Sequence, residues 1–309
     1  MDIPTFSTRL ALVAVCGGLL LGCGSSTPGG SGHAGHRLAV VAAENFWGSI
    51  AGQLGGSEVS VTSVVSDPNA DPHDYQSSAA TARAFATADY VIVNGAGYDG
   101  WADSLLNANP SSTRTVLDVA DLLGRKEGDN PHFWYSPTDV ENVADRITRD
   151  LESIDGADGA AFARQRTSFE AALQPYHARI AEIRQRFGGT KVAATESIFV
   201  SMAGALGLDL ISPPEFMKAV AEGNDPPASS VSAFHEQLQS GQAKLLVYNR
   251  QTATDVTTTL RQIAAQQHIR VVGVTETMQP PTTSFQLWMT AQLADIENAL
   301  AAAAPSPSS

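Results

Sequence analysis

Four side chains in this 309-residue sequence combine a metal-ligating type with a placement that suits a divalent transition metal. His73 lies in Asp71-Pro72-His73-Asp74-Tyr75, and His132 in Asn130-Pro131-His132-Phe133-Trp134-Tyr135. Both follow a proline in a segment of loop character, where binding residues concentrate more than packing residues do. Glu196 directly follows the strand-like run Lys191–Thr195, and Glu276 directly follows Arg270–Thr275. In open parallel sheets, ligands bind in the crevice at the carboxyl ends of the strands. His73 also comes after a strand-like run, Val59–Val65, although eight residues on. Two neutral imidazoles and two carboxylates balance a 2+ ion, so such a site is uncharged when filled and avoids the cost of a lone buried charge. The plainer alternative is that the histidines cap turns and the glutamates pair with surface arginines, because ligands scattered over about 200 residues (73 to 276) form no local motif.

The elements that must position these residues alternate between strand and helix. Further strand-like runs are Leu38–Ala43, Tyr90–Asn94, Thr115–Val119 and Lys244–Tyr248. Helical patterns lie between the strands, at about 46–54, 78–88, 100–108, 138–152, 198–206, 229–240 and 252–267. That alternation predicts α/β architecture with parallel sheets. From Asp158 to Phe187, the residues Phe162, Phe169, Leu173, Tyr176, Ile180, Ile183 and Phe187 make one apolar stripe at helical period. Gly188-Gly189 suits its C-cap, and Pro175 is expected to kink it. A helix of that length exceeds what one small lobe needs and divides the strands into two groups, so it reads as a connector between two α/β lobes. A last helix at about 283–303 carries Phe285, Trp288, Met289, Ile296 and Leu300 on one face, and the terminal Pro-Ser-Pro-Ser-Ser reads as a frayed tail.

Composition narrows the partners. Nineteen Lys and Arg stand against thirty-two Asp and Glu, a net charge of −13. So acidic a chain repels phosphate backbones, which argues against nucleic acid; it attracts cations, although most of the charge serves solubility. With 43% hydrophobic and 17% charged residues the chain can bury a sizeable core and is not intrinsically disordered.

The one long apolar stretch, Leu10–Leu21, is too short for an ordinary membrane-spanning helix and has the length of a signal-peptide core. It ends at Leu20-Leu21-Gly22-Cys23, which resembles a bacterial lipobox with Cys23 as the lipidated residue; the alternative for Cys23 is an ordinary free thiol. Residues 1–22 contain Cys16, Asp2 and Arg9, so cleavage leaves no disulfide partner and an unchanged net charge. Gly24 to Gly35 is Gly- and Ser-rich and reads as a flexible tether. The expected product is exported and anchored to the membrane.

Other motifs compete. Gly95-Ala96-Gly97-Tyr98-Asp99-Gly100 matches G-x-G-x-x-G, follows a strand, precedes a helix and has Asp118 at a nucleotide-binding distance in sequence. Against dinucleotide binding, the following helix is short, the strand is not the first of its sheet, and an exported protein meets little NAD. No H-E-x-x-H, G-x-S-x-G or Walker A sequence is present. A metal-dependent hydrolase needs an open ligand position and a general base, and only Asp74 is near enough to a candidate ligand to serve. His177, His235 and His268 fall in or beside helices and read as surface residues without a partner cluster; His33 and His36 lie in the tether. Glu215, Glu222 and Asp225 belong to a loop-rich acidic segment between Pro213-Pro214 and Pro226-Pro227, from which Glu222 or Asp225 could line a cleft.

The segment from Asp67 to Leu106 resembles the first half of the zinc/manganese ABC-importer solute-binding proteins. It has acidic-Pro-His-x-Tyr, an amphipathic helix, Ala-Asp-Tyr-Val-Ile-Val-Asn-Gly, then Gly-Tyr-Asp-Gly-Trp. Asn130-Pro131-His132-Phe133-Trp134 is similar to the family's second motif, with Asn130 at the acidic position, and Thr195-Glu196-Ser197-Ile198-Phe199 to its third. The likeness covers roughly residues 38–300. It implies two lobes, each a mostly parallel four-stranded sheet flanked by helices, joined by one long helix with the metal between them. Carried over by position, His73 and His132 match the N-lobe ligands. Glu196 takes the third place, where zinc importers usually have His and several manganese importers have Glu. Glu276 falls where Asp is usual. The His-rich loop of many zinc members is absent.

The resemblance implies a monomeric extracytoplasmic lipoprotein, not an enzyme, that hands Zn(II) or Mn(II) to an ABC permease and its ATPase. The expected division is signal peptide 1–22, lipidated Cys and tether 23–37, N-terminal lobe 38–155, connecting helix 156–189, C-terminal lobe 190–303 and tail 304–309. A metal-dependent surface hydrolase and an adhesin on the same scaffold are the competing functions. Imidazoles must be deprotonated to bind a metal, so affinity is expected to fall as pH drops below about 6. Metal titrations from pH 7.5 to 5 check this, and a flat profile excludes the histidines as ligands.

Overall fold

A computed structural model describes residues 37–68, 72 and 75–303. The expected signal peptide, Cys23, His33, His36, His73, Asp74 and the tail from residue 304 lie outside the described residues. The first sheet is built from β1 (Leu38–Glu44), β2 (Val59–Val65), β3 (Tyr90–Val93) and β4 (Thr115–Asp118), in the order β2-β1-β3-β4 and parallel throughout. The central strands are the apolar runs: β3 is buried along its whole length and β1 is buried from Val40 onward, as strands covered on both faces must be. Around this sheet run α1 (Asn45–Gly55), α2 (Ala79–Thr87), α3 (Gly100–Ala108), α4 (Val119–Leu122) and α5 (Pro137–Ile154). Local chemistry sets their starts. Ser78 and Thr81 form a capping box on α2. Ser136 caps α5, with Pro137 in the first turn where its missing N–H is no loss.

Next comes α6 (Gly159–Phe187), an unbroken helix of 29 residues that continues through the solvent-facing Pro175 and spans about 44 Å. Its buried residues are Phe162, Phe169, Leu173, Tyr176, Ile180 and Ile183, the predicted stripe. The second sheet repeats the first: β5 (Lys191–Ala194), β6 (Asp209–Leu210), β7 (Leu245–Asn249) and β8 (Arg270–Val274) lie in the order β6-β5-β7-β8, again all parallel. Its helices are α7 (Val200–Ala205), α8 (Pro214–Ala221), α9 (Ala228–Gln239), α10 (Asp255–Gln266) and α11 (Phe285–Ala303).

Three elements depart from the sequence reading, the first being the four-residue α4, which begins at Val119 inside the run read as strand. The two-residue β6 is too short to leave a periodic signal. The acidic segment read as loop contains α8: Pro214 sits in its first turn, and Glu215 beside it complements the positive helix end. No helix among the described residues is long and apolar enough to cross a membrane.

The apolar core is continuous from one sheet to the other. Val40 and Ile92 of the first sheet belong to the same buried cluster as Val192 and Val247 of the second, linked through Tyr176 and Ile183 of α6 and Trp288 and Leu293 of α11. At the start of α11 the Phe285 amide donates to the Ser49 hydroxyl (3.1 Å), while the Phe285 ring lies edge-on to Tyr176 and to Trp288. Gln53 and Gln286 exchange amide hydrogen bonds across the same junction. One shared core predicts one cooperative unfolding transition. Phe285→Ala should keep that single transition and cost about 3–5 kcal/mol by truncating a fully buried ring; two separated transitions in calorimetry would contradict the shared core.

Candidate metal centre

Three of the four predicted ligands converge. His132, Glu196 and Glu276 are buried, and one ligating atom from each lies within 4.8 Å of the others. The fourth, His73, lies outside the described residues, but its flank is placed: the carbonyls of Asp67 and Pro68 accept hydrogen bonds from Thr277 Oγ1 (3.4 Å) and Gln279 Nε2 (2.6 Å), just after Glu276.

The loop after α4 presents His132 with a defined tautomer. Asn130 Nδ2 donates to the Ser197 carbonyl (2.8 Å), so its Oδ1 faces His132 Nδ1 at 2.7 Å. An acceptor there requires Nδ1 to carry hydrogen, which turns the lone pair of the neutral ring out through Nε2. That nitrogen lies 3.2 Å from Glu196 Oε1. Two acceptors at this distance repel unless a proton or a cation joins them, and a divalent ion fits this donor set.

Glu196 and Glu276 follow β5 and β8, and each is held by its surroundings. Glu196 opens the short 3₁₀ turn Ser197–Phe199, where its Oε1 accepts the Ile198 amide (3.2 Å). Glu276 is fixed at the backbone, since Gln251 Oε1 accepts both the Glu276 and Thr277 amides (2.7 and 3.0 Å). Asn249, the last residue of β7, joins the two carboxylates: its Nδ2 donates to Glu196 Oε2 (2.6 Å) and to Glu276 Oε1 (2.7 Å). Tyr98 donates its hydroxyl to Glu276 Oε2 (2.6 Å). Burial and the nearby Glu276 and Glu44 hold the Tyr98 hydroxyl well above its ordinary pKa, so it remains a donor.

The glycine-rich hexapeptide serves this positioning. Gly95 and Gly97 take positive φ (73° and 84°), and a Cβ on Gly95 would meet Asp118 Oδ1 at 2.3 Å. The Asp99 carboxylate accepts the Asn94 amide (2.6 Å) and the Gly95 amide (2.8 Å), so the amides a pyrophosphate would need already hold a buried carboxylate. Asp118 caps α4 through the Asp121 amide rather than facing a ribose site. Sequence reasoning missed Tyr98 because it lay inside this motif. It missed Asn249 because only acidic residues and histidines were sought, although Asn249 obeys the same carboxyl-end rule as the two glutamates. A cavity of about 670 Å³ opens beside Tyr98, Asn130 and Ser197, with Glu127, Asp129 and Glu222 also on its wall.

The zinc-uptake complex component A (ZnuA, periplasmic) family model matches residues 40–299. The chain belongs to this family. Its members are metal-binding solute-binding proteins, not enzymes. A manganese-binding lipoprotein, MntA, from Halalkalibacterium halodurans is 29% identical over 158 residues, a match spanning 50% of this chain and 51% of that protein. A manganese-bound mutant of a periplasmic metal-binding protein from Candidatus Liberibacter asiaticus superposes with a TM-score of 0.72 at 17% identity, covering 86% of this chain and all of that one. A ZnuA crystal structure gives 0.68 at 21% identity, again over 86% of this chain and all of that one. At these identities the structural likeness shows the fold.

Against that family background the remaining candidates fall into place. Glu222 borders the cavity; Asp225 is not among its lining residues. His235 on α9 is half-buried, and His268 is exposed after α10. His177 departs from the expectation of an isolated surface residue, because it meets Glu141 at 3.1 Å from one turn of α6 to α5, beside the Arg166–Glu141 pair.

Burial also pushes the Asp99 carboxyl up to about 6, against the lowering effect of its two amide donors. A carboxyl raised in the folded state contributes stability that is full below its unfolded value and is lost as pH climbs through the folded one. In metal-free protein, the stability of wild type minus that of Asp99→Asn should therefore shrink by roughly 2 kcal/mol between pH 4.5 and 7. Denaturant titrations at both pH values measure it, and a pH-independent difference would contradict the shift.

Proposed function

We propose that this protein captures Zn(II) or Mn(II) between its two lobes and delivers the ion to the permease of an ABC importer. His73 and His132 come from the first lobe, Glu196 and Glu276 from the second, so one ion ties the lobes together. The observation that carries the reading is the convergence of His132, Glu196 and Glu276 in a buried pocket, with the His132 lone pair aimed at Glu196. The attachment of the His73 loop beside Glu276, through the Asp67 and Pro68 carbonyls, supports a fourth ligand from that loop. As cargo, the metal must be released, and the lobes' separation by the permease would break the four-ligand set. Cleavage before Cys23 and its lipidation would hold a monomeric receptor at the membrane, with residues 24–37 as its tether. The adhesin and hydrolase alternatives have no observation of their own in the fold.

Elemental mass spectrometry on residues 24–309, after separate incubation with zinc and manganese and removal of excess, tests the reading. Wild type should carry about one ion per chain, and His73→Ala and Glu276→Ala should each lose it. Retention by Glu276→Ala would move the fourth ligand elsewhere, and wild type without a bound ion would sink the receptor reading.

A further inference from the structure

We infer that Asn249 is a specificity-determining residue, which holds Glu196 and Glu276 as one-oxygen ligands and so favours a four-coordinate ion over a six-coordinate one. The inference rests on the metal-site reading above. Asn249 is buried (1% exposed), and the orientation of its carboxamide is fixed by its own network. Its Oδ1 accepts the Gln251 amide at 3.0 Å, which forces Nδ2 toward the glutamates. The backbone behind it is anchored too, since the Asn249 amide donates to Thr195 Oγ1 (3.3 Å) in the strand end beside it. Each of the two Nδ2 hydrogens then goes to a different carboxylate, Glu196 Oε2 and Glu276 Oε1.

This arrangement limits what the glutamates can offer. Bonds of 2.6 and 2.7 Å from one amide nitrogen to two carboxyl oxygens are short. To chelate an ion through both oxygens, a carboxylate must turn so that both face the metal, and here that rotation breaks its bond to Asn249. Glu196 is left presenting Oε1, the oxygen that already faces His132 Nε2. In Glu276 the oxygen turned away from Asn249 is further oriented by the Tyr98 hydroxyl. Two one-oxygen carboxylates beside the His132 imidazole keep the number of donor atoms low, which suits the four-coordinate geometry of Zn(II). Manganese, which favours higher coordination with oxygen donors, gains most when a carboxylate is released to chelate. Asn249 also acts as a neutral bridge between two like charges, so it positions the pair without cancelling the charge that draws in a cation.

The test compares wild type, Asn249→Ala and Asn249→Ser for zinc and manganese affinity by competition with a chelator, together with the zinc coordination number from X-ray absorption. Asn249→Ala removes both donors, whereas Asn249→Ser keeps one hydroxyl donor and decides the matter if the alanine variant does not fold. The Kd ratio of manganese to zinc should fall at least fivefold in Asn249→Ala and by less in Asn249→Ser, and the zinc coordination number should rise. If both affinities weaken together, leaving the ratio within twofold and the coordination number unmoved, Asn249 is only structural and the inference is overturned. If wild type binds neither metal, the site reading itself has failed, an outcome separate from an unmoved ratio in a metal-loaded protein.

Discussion

Two carboxylates, Glu196 and Glu276, share one buried pocket, and much of the surrounding architecture answers to their repulsion. Glu196 and Glu276 are fully buried, and the donors described around them are neutral: an asparagine amide, a tyrosine hydroxyl and a backbone amide. Hydrogen bonds of this kind orient a negative charge and partly stabilise it, but they do not neutralise it. A cation between the two would offset the repulsion that these donors leave. The lone pair of His132, directed there by Asn130, adds a third donor atom and rules out a simple anion as the occupant. A cation that takes electron pairs from nitrogen and oxygen together satisfies the whole set, and this is why a transition metal fits better than a lone proton or an alkali ion.

The fold meets this demand by placing the groups at strand ends. Asn249 ends β7, and Glu196 and Glu276 follow β5 and β8 by two residues, all at the carboxyl end of one parallel sheet. The gap between β5 and β7 is also where the strand order reverses, the position at which parallel sheets open a crevice. The second lobe thus supplies the charge, and the first supplies the imidazole and the tyrosine that border it. Their shared core through α6 and α11 keeps the two halves within reach of one another.

Much of this was legible in the sequence. The apolar stripe of α6 was readable because a long helix repeats its period many times, and the strand runs because buried parallel strands are continuously apolar. The glutamates were readable because each stands directly after such a run. The reading weakened where the signal is short or ambiguous. The strand β6 has two residues, and Pro213-Pro214 suits a loop and a helix start equally well. Asn249 and Tyr98 were invisible as site residues for another reason: neither type announces metal chemistry, and their role exists only once three strand ends and a glycine turn meet in space. The G-x-G-x-x-G match shows the converse, a spacing shared with phosphate sites whose amides are taken up here by Asp99.

The two lobes give a further reason to see the second as the charged half. Two residues beyond the Ala42–Ile92 pair, the register of the first sheet sets Glu44 opposite Asn94, and two beyond Ala194–Val247 that of the second sets Glu196 opposite Asn249. The same pair of residue types therefore occupies the same switch point twice. Their fates differ because their neighbours differ. In the first lobe Asn94 turns its amide to the Pro131 carbonyl (3.0 Å), steadying the loop that carries His132, and its Oδ1 accepts the Trp47 indole N–H (3.1 Å). Glu44 is left against Asp99, and burial together with that neighbour raises its pKa well above the ordinary carboxylate value. In the second lobe Asn249 spends both hydrogens on carboxylates, and His132 brings an electron pair instead of a second acid. At one switch point two acids meet and burial raises the pKa of the glutamate; at the other, an asparagine and an imidazole set two carboxylates in an array suited to a cation.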